Sequence, residues 1–290
     1  MGIARRLTSK TVWIFALAAA LTPVAASAAS AIDLYYDREL MTAADNRCRL
    51  FAPQIGAALE ASANQARGAA LRAGVDGATV NGVTTRANQK AVSVDCASPD
   101  LKLAAQRVRT AFEGWSRTAH MDFPGETAPW RADRMSYRSI TWRLVQTAYD
   151  GSDPVLFGLA GENNATGLIA VAAFPNGERP YAARLVYRDG NKTHSAWVGA
   201  PKSRPLPPRW ASSVVMAEDV EDASAVLTPR GRDHAIAFRF PAATLDALSA
   251  LDPRERFAVE FLFAGDHVRT AAFEVGDLAA GRAFLKLGPL

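Results

Sequence analysis

The chain has 290 residues, of which 49% are hydrophobic, and a formal net charge of +4 at pH 7. Three of its 33 basic residues and none of its 29 acidic residues lie before residue 29, so the rest of the chain has 30 basic against 29 acidic residues, a formal charge of +1. Nucleic-acid-binding proteins typically show a clear basic excess. Because this chain has none and carries no zinc-finger or RNP-like motif, we do not expect a nucleic acid as partner.

Residues 1–28 have the pattern of a secretory signal peptide. Three basic residues precede an apolar run at 11–21, which is too short to span a bilayer. Two A-x-A signals, at 26–28 and 29–31, predict cleavage after residue 28 or 31. We therefore expect a periplasmic or secreted protein with no transmembrane segment in its mature chain, and the alanine-rich, lysine-poor composition favours a bacterial periplasm.

Residues 32–120 are predicted to form a small helical domain. Ser98-Pro99-Asp100 has the cap, first-turn proline and early acid of a helix start. Cys48 and Cys96 are the only cysteines, and an even pair in an exported chain predicts a structural disulfide. A catalytic or redox thiol stays open as the alternative, because the flanking arginines could lower the pKa of Cys48.

A junction at residues 121–136 concentrates aromatic, cationic and carboxylate side chains. Trp and Arg can hold sugars or acidic groups by stacking and bidentate hydrogen bonds, and ligand sites often form where two parts of a fold meet. The candidate ligand-binding residues are Trp115, His120, Asp122, Trp130, Arg131, Asp133 and Arg134. The competing interpretation is an interface in which the two tryptophans are packing anchors.

Residues 137–290 alternate with period two and predict an antiparallel β domain, either a sandwich or a barrel-like sheet. In the first run, Trp142 and Leu144 are expected on one face and Arg143 on the other. One short helix is expected at 241–251 and a last one after Asp277, its predicted cap. The predicted fold class is α+β, a helical bundle followed by antiparallel sheet.

No catalytic residue, metal ligand or cofactor is predicted. The sequence lacks a G-x-S-x-G elbow, an H-E-x-x-H pair, a P-loop and a G-x-G-x-x-G loop. His234 is expected to be a core residue on an apolar strand. The acidic run at 218–222 is expected to be a solvated loop, because it lacks the alternating ligand spacing of a calcium loop.

The chain resembles exported bacterial proteins of unknown function. The segments that carry the resemblance are Cys96–Leu101, Val108-Arg109, Phe112, Gly114-Trp115, Phe123-Pro124-Gly125, Trp130–Arg134, Val275-Gly276-Asp277 and Arg282–Leu285. The resemblance covers most of the mature chain and implies no activity, cofactor or catalytic residue.

These patterns together favour a non-catalytic accessory or binding protein of the bacterial cell envelope, with an envelope component or a small ligand as partner. One alternative is an envelope hydrolase that acts on glycan or ester bonds through scattered carboxylates or a histidine near the junction. Another is a structural protein that docks on an envelope complex through its sheet.

Overall fold

The computed structural model describes residues 28–200 and 203–290, and their fold is α+β as predicted. Helices occupy the first part of this region, and two antiparallel sheets with two short helices follow. The predicted signal peptide lies outside the described residues, apart from Ala28. The helices are α1 (Ala28–Cys48), α2 (Pro53–Arg72), α3 (Gly77–Ser93), α4 (Pro99–Phe112), α5 (Ala243–Ser249) and α6 (Leu278–Leu285). The strands are β1 (His120–Phe123), β2 (Trp130–Asp133), β3 (Thr141–Asp150), β4 (Asp153–Glu162), β5 (Ala165–Ala172), β6 (Ala182–Arg188), β7 (Ser212–Met216), β8 (Asp219–Asp222), β9 (Ile236–Phe240), β10 (Arg256–Leu262) and β11 (Val268–Glu274).

The helical part follows its local sequence signals closely. The Asp76 carboxylate accepts a hydrogen bond of 2.8 Å from the Thr79 amide and so caps α3. Ser98 precedes α4 as expected, but its side chain makes no capping hydrogen bond. On α2, Ala58 and Ala61 are fully buried, and such small side chains let neighbouring helices approach closely.

The predicted disulfide joins Cys48 to Cys96, and the two Cα atoms lie 5.6 Å apart. The bridge connects the last residue of α1 to the turn before α4. It closes a loop of 48 residues, and the chain-entropy model assigns such a loop about 4 kcal/mol of stabilisation. The bridge therefore fixes the end of α1 against the start of α4.

The two sheets face each other across one aromatic core. The first sheet has the strand order β1-β2-β3-β4-β5-β9-β8, and the second has the order β11-β10-β6-β7. The Phe157 ring of the first sheet lies 5.1 Å from the Phe257 ring of the second, and Phe238 lies 5.4 Å from Phe261. All four rings are fully buried. The antiparallel part is therefore a two-sheet sandwich, in which edge-to-face aromatic contacts add to area burial.

Helix α6 connects the helical layer to the sandwich. The Arg72 guanidinium on α2 donates two hydrogen bonds, of 2.8 and 2.9 Å, to the Asp277 carboxylate just before α6. Burial raises the pKa of Asp277, and the neighbouring Arg72 opposes that rise. The sequence predicted Asp277 as the cap of α6, but its side chain makes no capping bond because it is committed to this ion pair.

Two expectations about the β domain are corrected by the structure. His234 is exposed and precedes β9, so it is not a core residue. The acidic run forms the edge strand β8, where cross-strand pairing with β9 replaces the expected loop. Arg188, at the end of β6, is also buried, with an exposed fraction of 7%. Its guanidinium forms a salt bridge of 2.5 Å with the Glu255 carboxylate.

Candidate functional site

The predicted junction folds into the β1–β2 hairpin, and its alternation divides the candidate residues between two faces. His120 lies opposite Asp133, and Asp122 lies opposite Arg131. The His120 Nε2 atom is 3.4 Å from an Asp133 oxygen, and the His120 side chain is 65% exposed. Asp122 and Arg131 are also exposed. These four residues therefore form a solvent-facing row on the hairpin.

Trp130 lies on the other side of the hairpin, in the core, and the half-buried Trp115, which precedes the hairpin, packs against that core. Trp130 is fully buried, and its indole N–H donates to the Val275 carbonyl at 2.9 Å. Trp115 packs edge-to-face on Phe112 and Phe284, with ring separations of 5.3 and 6.2 Å. Their contacts are those of packing anchors, and no exposed ring face is left for stacking on a sugar at Trp130.

Arg134 is brought to a different place, a cavity of about 750 Å³ between the first sheet and helices α5 and α6. A second arginine, Arg143, lines the same cavity, and each of the two is only 2% exposed. The sequence analysis included Arg134 among its candidates and missed Arg143. We call this cavity the arginine pocket, defined by Arg134, Arg143, Asn163, Leu159, Leu168, Leu245, Arg282 and Lys286.

A β-bulge turns Arg143 into the pocket. Trp142 pairs with Ala160 and Leu144 pairs with Leu159, so Arg143 is an extra residue without a partner on β4. Bulges re-aim side chains and are common beside functional sites. The expected alternation places Arg143 on the face away from Leu144, and the bulge is the reason why it is buried.

The Arg143 guanidinium is under-satisfied. Its Nη1 donates to the Met135 carbonyl at 2.6 Å, and the group lies 5.8 Å from the centre of the Tyr137 ring. Its buried Nε–H has no hydrogen-bond partner, and no carboxylate of the described residues forms a salt bridge with it. A buried charged donor without an acceptor is costly unless a ligand supplies one.

Arg134 is held by backbone carbonyls and not by a carboxylate. Its guanidinium donates to the carbonyl oxygens of Gly288, Trp115 and Thr118 at 2.7 to 3.0 Å, and more weakly to that of Leu287 at 3.4 Å. Burial, and then the positive charge of Arg143, lower the pKa of Arg134. The two guanidiniums therefore repel each other, and their combined charge is not compensated by any described acidic side chain.

The other charged residues of the pocket are already paired. Arg282 on α6 meets Asp246 on α5 at 2.5 Å, and Lys286 meets Glu60 on α2 at 2.7 Å. Both pairs are partly exposed, so their charges lie at the mouth of the pocket. The positive charge that remains belongs to the two buried arginines.

The remaining lining is polar at the turn between β4 and β5 and at Thr166, and its other uncharged residues are apolar or small. Asn163, between β4 and β5, has a positive φ of 52° and a buried side-chain oxygen without a partner. Leu159 and Leu168 face each other across β4 and β5, and Leu245 on α5 is 8% exposed. The pocket can therefore accept an anion through Arg143, a hydrogen-bond donor through Asn163 and apolar groups along the leucines.

The lining carries one hydroxyl residue, Thr166, and one carboxylate, Asp246. Among the described residues that line the pocket there is no histidine, cysteine or serine, and the carboxylate of Asp246 is engaged with Arg282. No group of three His, Cys, Asp or Glu residues in the described part of the chain is arranged to hold a metal ion. A pair of free acid and base groups, which general acid–base catalysis needs, is not found in this lining.

One of the two buried arginines could have been found from the sequence. Strict alternation from Trp130 through Ala132 places Arg134 on the inner face, with its charge among apolar residues. An inward arginine after a strand is a recognisable signal. Arg143 gives no such signal, because the sequence does not show the bulge. The prediction that Trp142 and Leu144 share a face is therefore wrong: Trp142 pairs with Ala160 and Leu144 with Leu159, and these neighbours lie on opposite faces of β4.

No family model, no curated protein and no solved structure matches this chain. The resemblance to exported bacterial proteins therefore stays a prediction from the sequence. None of the described helices is both long and apolar enough to cross a membrane.

Proposed function

We propose that this protein is an exported, non-catalytic binding protein of the bacterial cell envelope, and that the arginine pocket binds a small anionic ligand. The proposal combines the signal peptide expected at residues 1–28 with the charge of the pocket. Of the seven ligand-binding residues predicted from the sequence, one, Arg134, lines this pocket. Arg143 is the second residue, and it has the larger unused hydrogen-bonding capacity, because its buried Nε–H has no partner.

The observation that carries the proposal is the pair of buried guanidiniums without a carboxylate. Arg143 and Arg134 are each 2% exposed and line a cavity of about 750 Å³. An anion in that cavity offsets the repulsion between them and supplies the acceptor that Arg143 lacks. Arginine favours carboxylate and phosphate groups because its planar fork donates two parallel hydrogen bonds.

Thermal unfolding with matched arginine variants tests the proposal. The purified mature chain is heated with and without 10 mM sodium phosphate, with the ionic strength held constant by sodium chloride. With a Kd of about 1 mM, the wild type should gain about 1.4 kcal/mol, or about 4 °C in Tm. Arg143→Gln should abolish the gain, and the exposed control Arg131→Gln should retain it. An equal gain in all three proteins, or no gain with phosphate, sulfate, acetate or citrate, overturns the proposal.

Two further measurements test the other parts of the proposal. N-terminal sequencing of protein from an osmotic-shock fraction should begin at residue 29 or 32, and a protein that still begins at Met1 contradicts export. Assays with glycan and ester substrates should show no turnover. Turnover that is lost in His120→Ala or Asp122→Asn would instead establish the hydrolase alternative at the hairpin face.

A further inference from the structure

The arginine pocket changes from cationic to apolar along the first sheet. Arg134 follows β2 and Arg143 lies on β3, whereas Leu159 and Leu168 lie on β4 and β5. These strands are consecutive neighbours in the sheet. Adjacent strands are about 4.8 Å apart, so the floor runs from the Arg143 strand to the Leu168 strand over about 10 Å.

The apolar end of the floor is covered by helices. Leu168 pairs with Phe240 on β9, and both side chains are almost fully buried. Leu245 on α5 and Leu285 on α6 also line this cavity. A simple inorganic anion fills only the arginine end, and the leucine end would then hold water against apolar walls. An apolar group bound there gains the free energy of leaving water.

The charge of the pocket sets the charge of the ligand's head. The mouth cations Arg282 and Lys286 are matched by Asp246 and Glu60. The two buried guanidiniums are held by neutral backbone carbonyls, and neither forms a salt bridge with a described carboxylate. A phosphomonoester carries about −1.5 to −2 at pH 7 and offers three acceptor oxygens, whereas a carboxylate or sulfonate carries only one negative charge.

From this gradient we infer that the ligand is an amphiphile with a doubly charged, phosphomonoester-like head and a short apolar body. The head lies between Arg134 and Arg143, and the body extends across β4 and β5 towards α5. This inference rests on the proposed function, because it specifies the anion that the same pocket binds.

Isothermal titration with a series of matched ligands tests the inference. The probes are inorganic phosphate, ethyl phosphate, hexyl phosphate, hexyl sulfonate, hexanoate and hexanol. Affinity should rise about fourfold for each methylene that the cavity buries, so hexyl phosphate should bind at least tenfold more tightly than ethyl phosphate. Hexyl sulfonate, which also presents three oxygens on a tetrahedral head but carries one charge fewer, should bind at least tenfold more weakly than hexyl phosphate.

Variants assign the two ends of the ligand to the two ends of the pocket. Ala243→Trp places a large side chain at the exposed apolar rim, so it should remove the gain from chain length and leave phosphate binding unchanged. Arg143→Gln should weaken all phosphates at least tenfold, and Arg143→Lys should restore part of that loss because it restores the charge without the fork. Arg131→Gln, on the exposed face of the hairpin, should change nothing.

The outcomes separate this inference from the proposed function. Binding of phosphate or hexanoate that depends on Arg143 but gains nothing from chain length or second charge overturns the inference and leaves the proposed function intact. Binding of no anion overturns both. Hexanol binding as tightly as hexyl phosphate overturns the role of the charged head.

A vesicle-binding experiment tests whether the phosphomonoester head belongs to a membrane lipid or to a free molecule. The protein is sedimented with phosphatidylcholine vesicles with and without phosphatidic acid, which presents a phosphomonoester on a lipid. Co-sedimentation that requires both phosphatidic acid and Arg143 supports the inference with a lipid headgroup as the source. Tight hexyl phosphate binding without co-sedimentation supports it with a free ester as the source.

Discussion

Arg188 and Arg143 both lie on strands and are both buried, but only Arg188 meets a carboxylate. Glu255 receives hydrogen bonds of 2.5 and 3.0 Å from Arg188, whereas Arg143 has one backbone acceptor and a free Nε–H. The charge of Arg188 is therefore neutralised by Glu255, whereas the charge of Arg143 is not neutralised by a described carboxylate. A buried charge that the protein does not neutralise marks a site where a ligand can do so.

The largest expected effect comes from breaking the buried ion pair between Arg188 and Glu255. Glu255→Gln leaves the Arg188 charge buried without its partner, and it weakens the acceptor of the Trp197 amide. We expect the free energy of unfolding, measured by urea titration, to fall by about 3–5 kcal/mol. The control Glu221→Gln disrupts an exposed pair with Arg239 and should cost less than about 1 kcal/mol. Equal effects of the two changes would contradict the comparison.

A smaller loss is expected at the structural arginine of the pocket. Arg134→Met keeps much of the side-chain volume but leaves the carbonyls of Trp115, Thr118 and Gly288 without their donor. Urea unfolding should show a loss of about 2–3 kcal/mol. A loss of less than about 0.5 kcal/mol would mean that water replaces the guanidinium without cost, and that Arg134 does not hold these segments together.

Arg143→Met should be nearly neutral or slightly stabilising. The change removes an uncompensated buried charge and only one hydrogen bond, so the free energy of unfolding should stay constant or rise by about 1 kcal/mol. The stabilisation by phosphate should disappear in the same protein. If this variant loses more than about 2 kcal/mol in urea titration, the positive charge of Arg143 is compensated in the free protein and the contrast with Arg188 fails.

The smallest effect is expected on the exposed face of the hairpin. The Arg131 guanidinium reaches only the Thr147 hydroxyl, at 3.4 Å, and the residue is exposed. Arg131→Ala should therefore change the free energy of unfolding by no more than about 0.5 kcal/mol and leave phosphate stabilisation intact. A loss of anion binding in this variant would move the ligand site to the hairpin face that the sequence analysis favoured.

Local sequence signals were enough for most elements of the fold. The cap at Asp76 and the proline in the first turn of α4 are properties of short segments, so they could be predicted without knowing the partner segments. The same holds for the pairing of Cys48 with Cys96, since no other cysteine competes. The edge strand β8 was not predicted, because its exposed acidic side chains show no apolar alternation. It is a strand because it pairs with β9.

The candidate site was predicted only in part, for a physical reason visible in one strand. Alternation along β2 separates Arg131 and Asp133 from Trp130, so residues close in sequence face opposite sides. These residues were predicted to form one site because they are close along the chain. Arg134 belongs to the inner set, and two of its carbonyl partners, those of Gly288 and Leu287, are more than 150 residues away.

The sequence by itself determined the α+β class, the order of helices and strands and the disulfide, because periodicity, capping and residue type act within a few residues. Only the tertiary structure decided which charges are buried and which of them are neutralised. Arg188, Arg134 and Arg143 are the same residue type on or just after strands, and nothing in the sequence shows which of them meets a carboxylate. Their difference arises from distant groups, since a carboxylate, a set of carbonyls or an open cavity reaches each guanidinium only after the chain has folded.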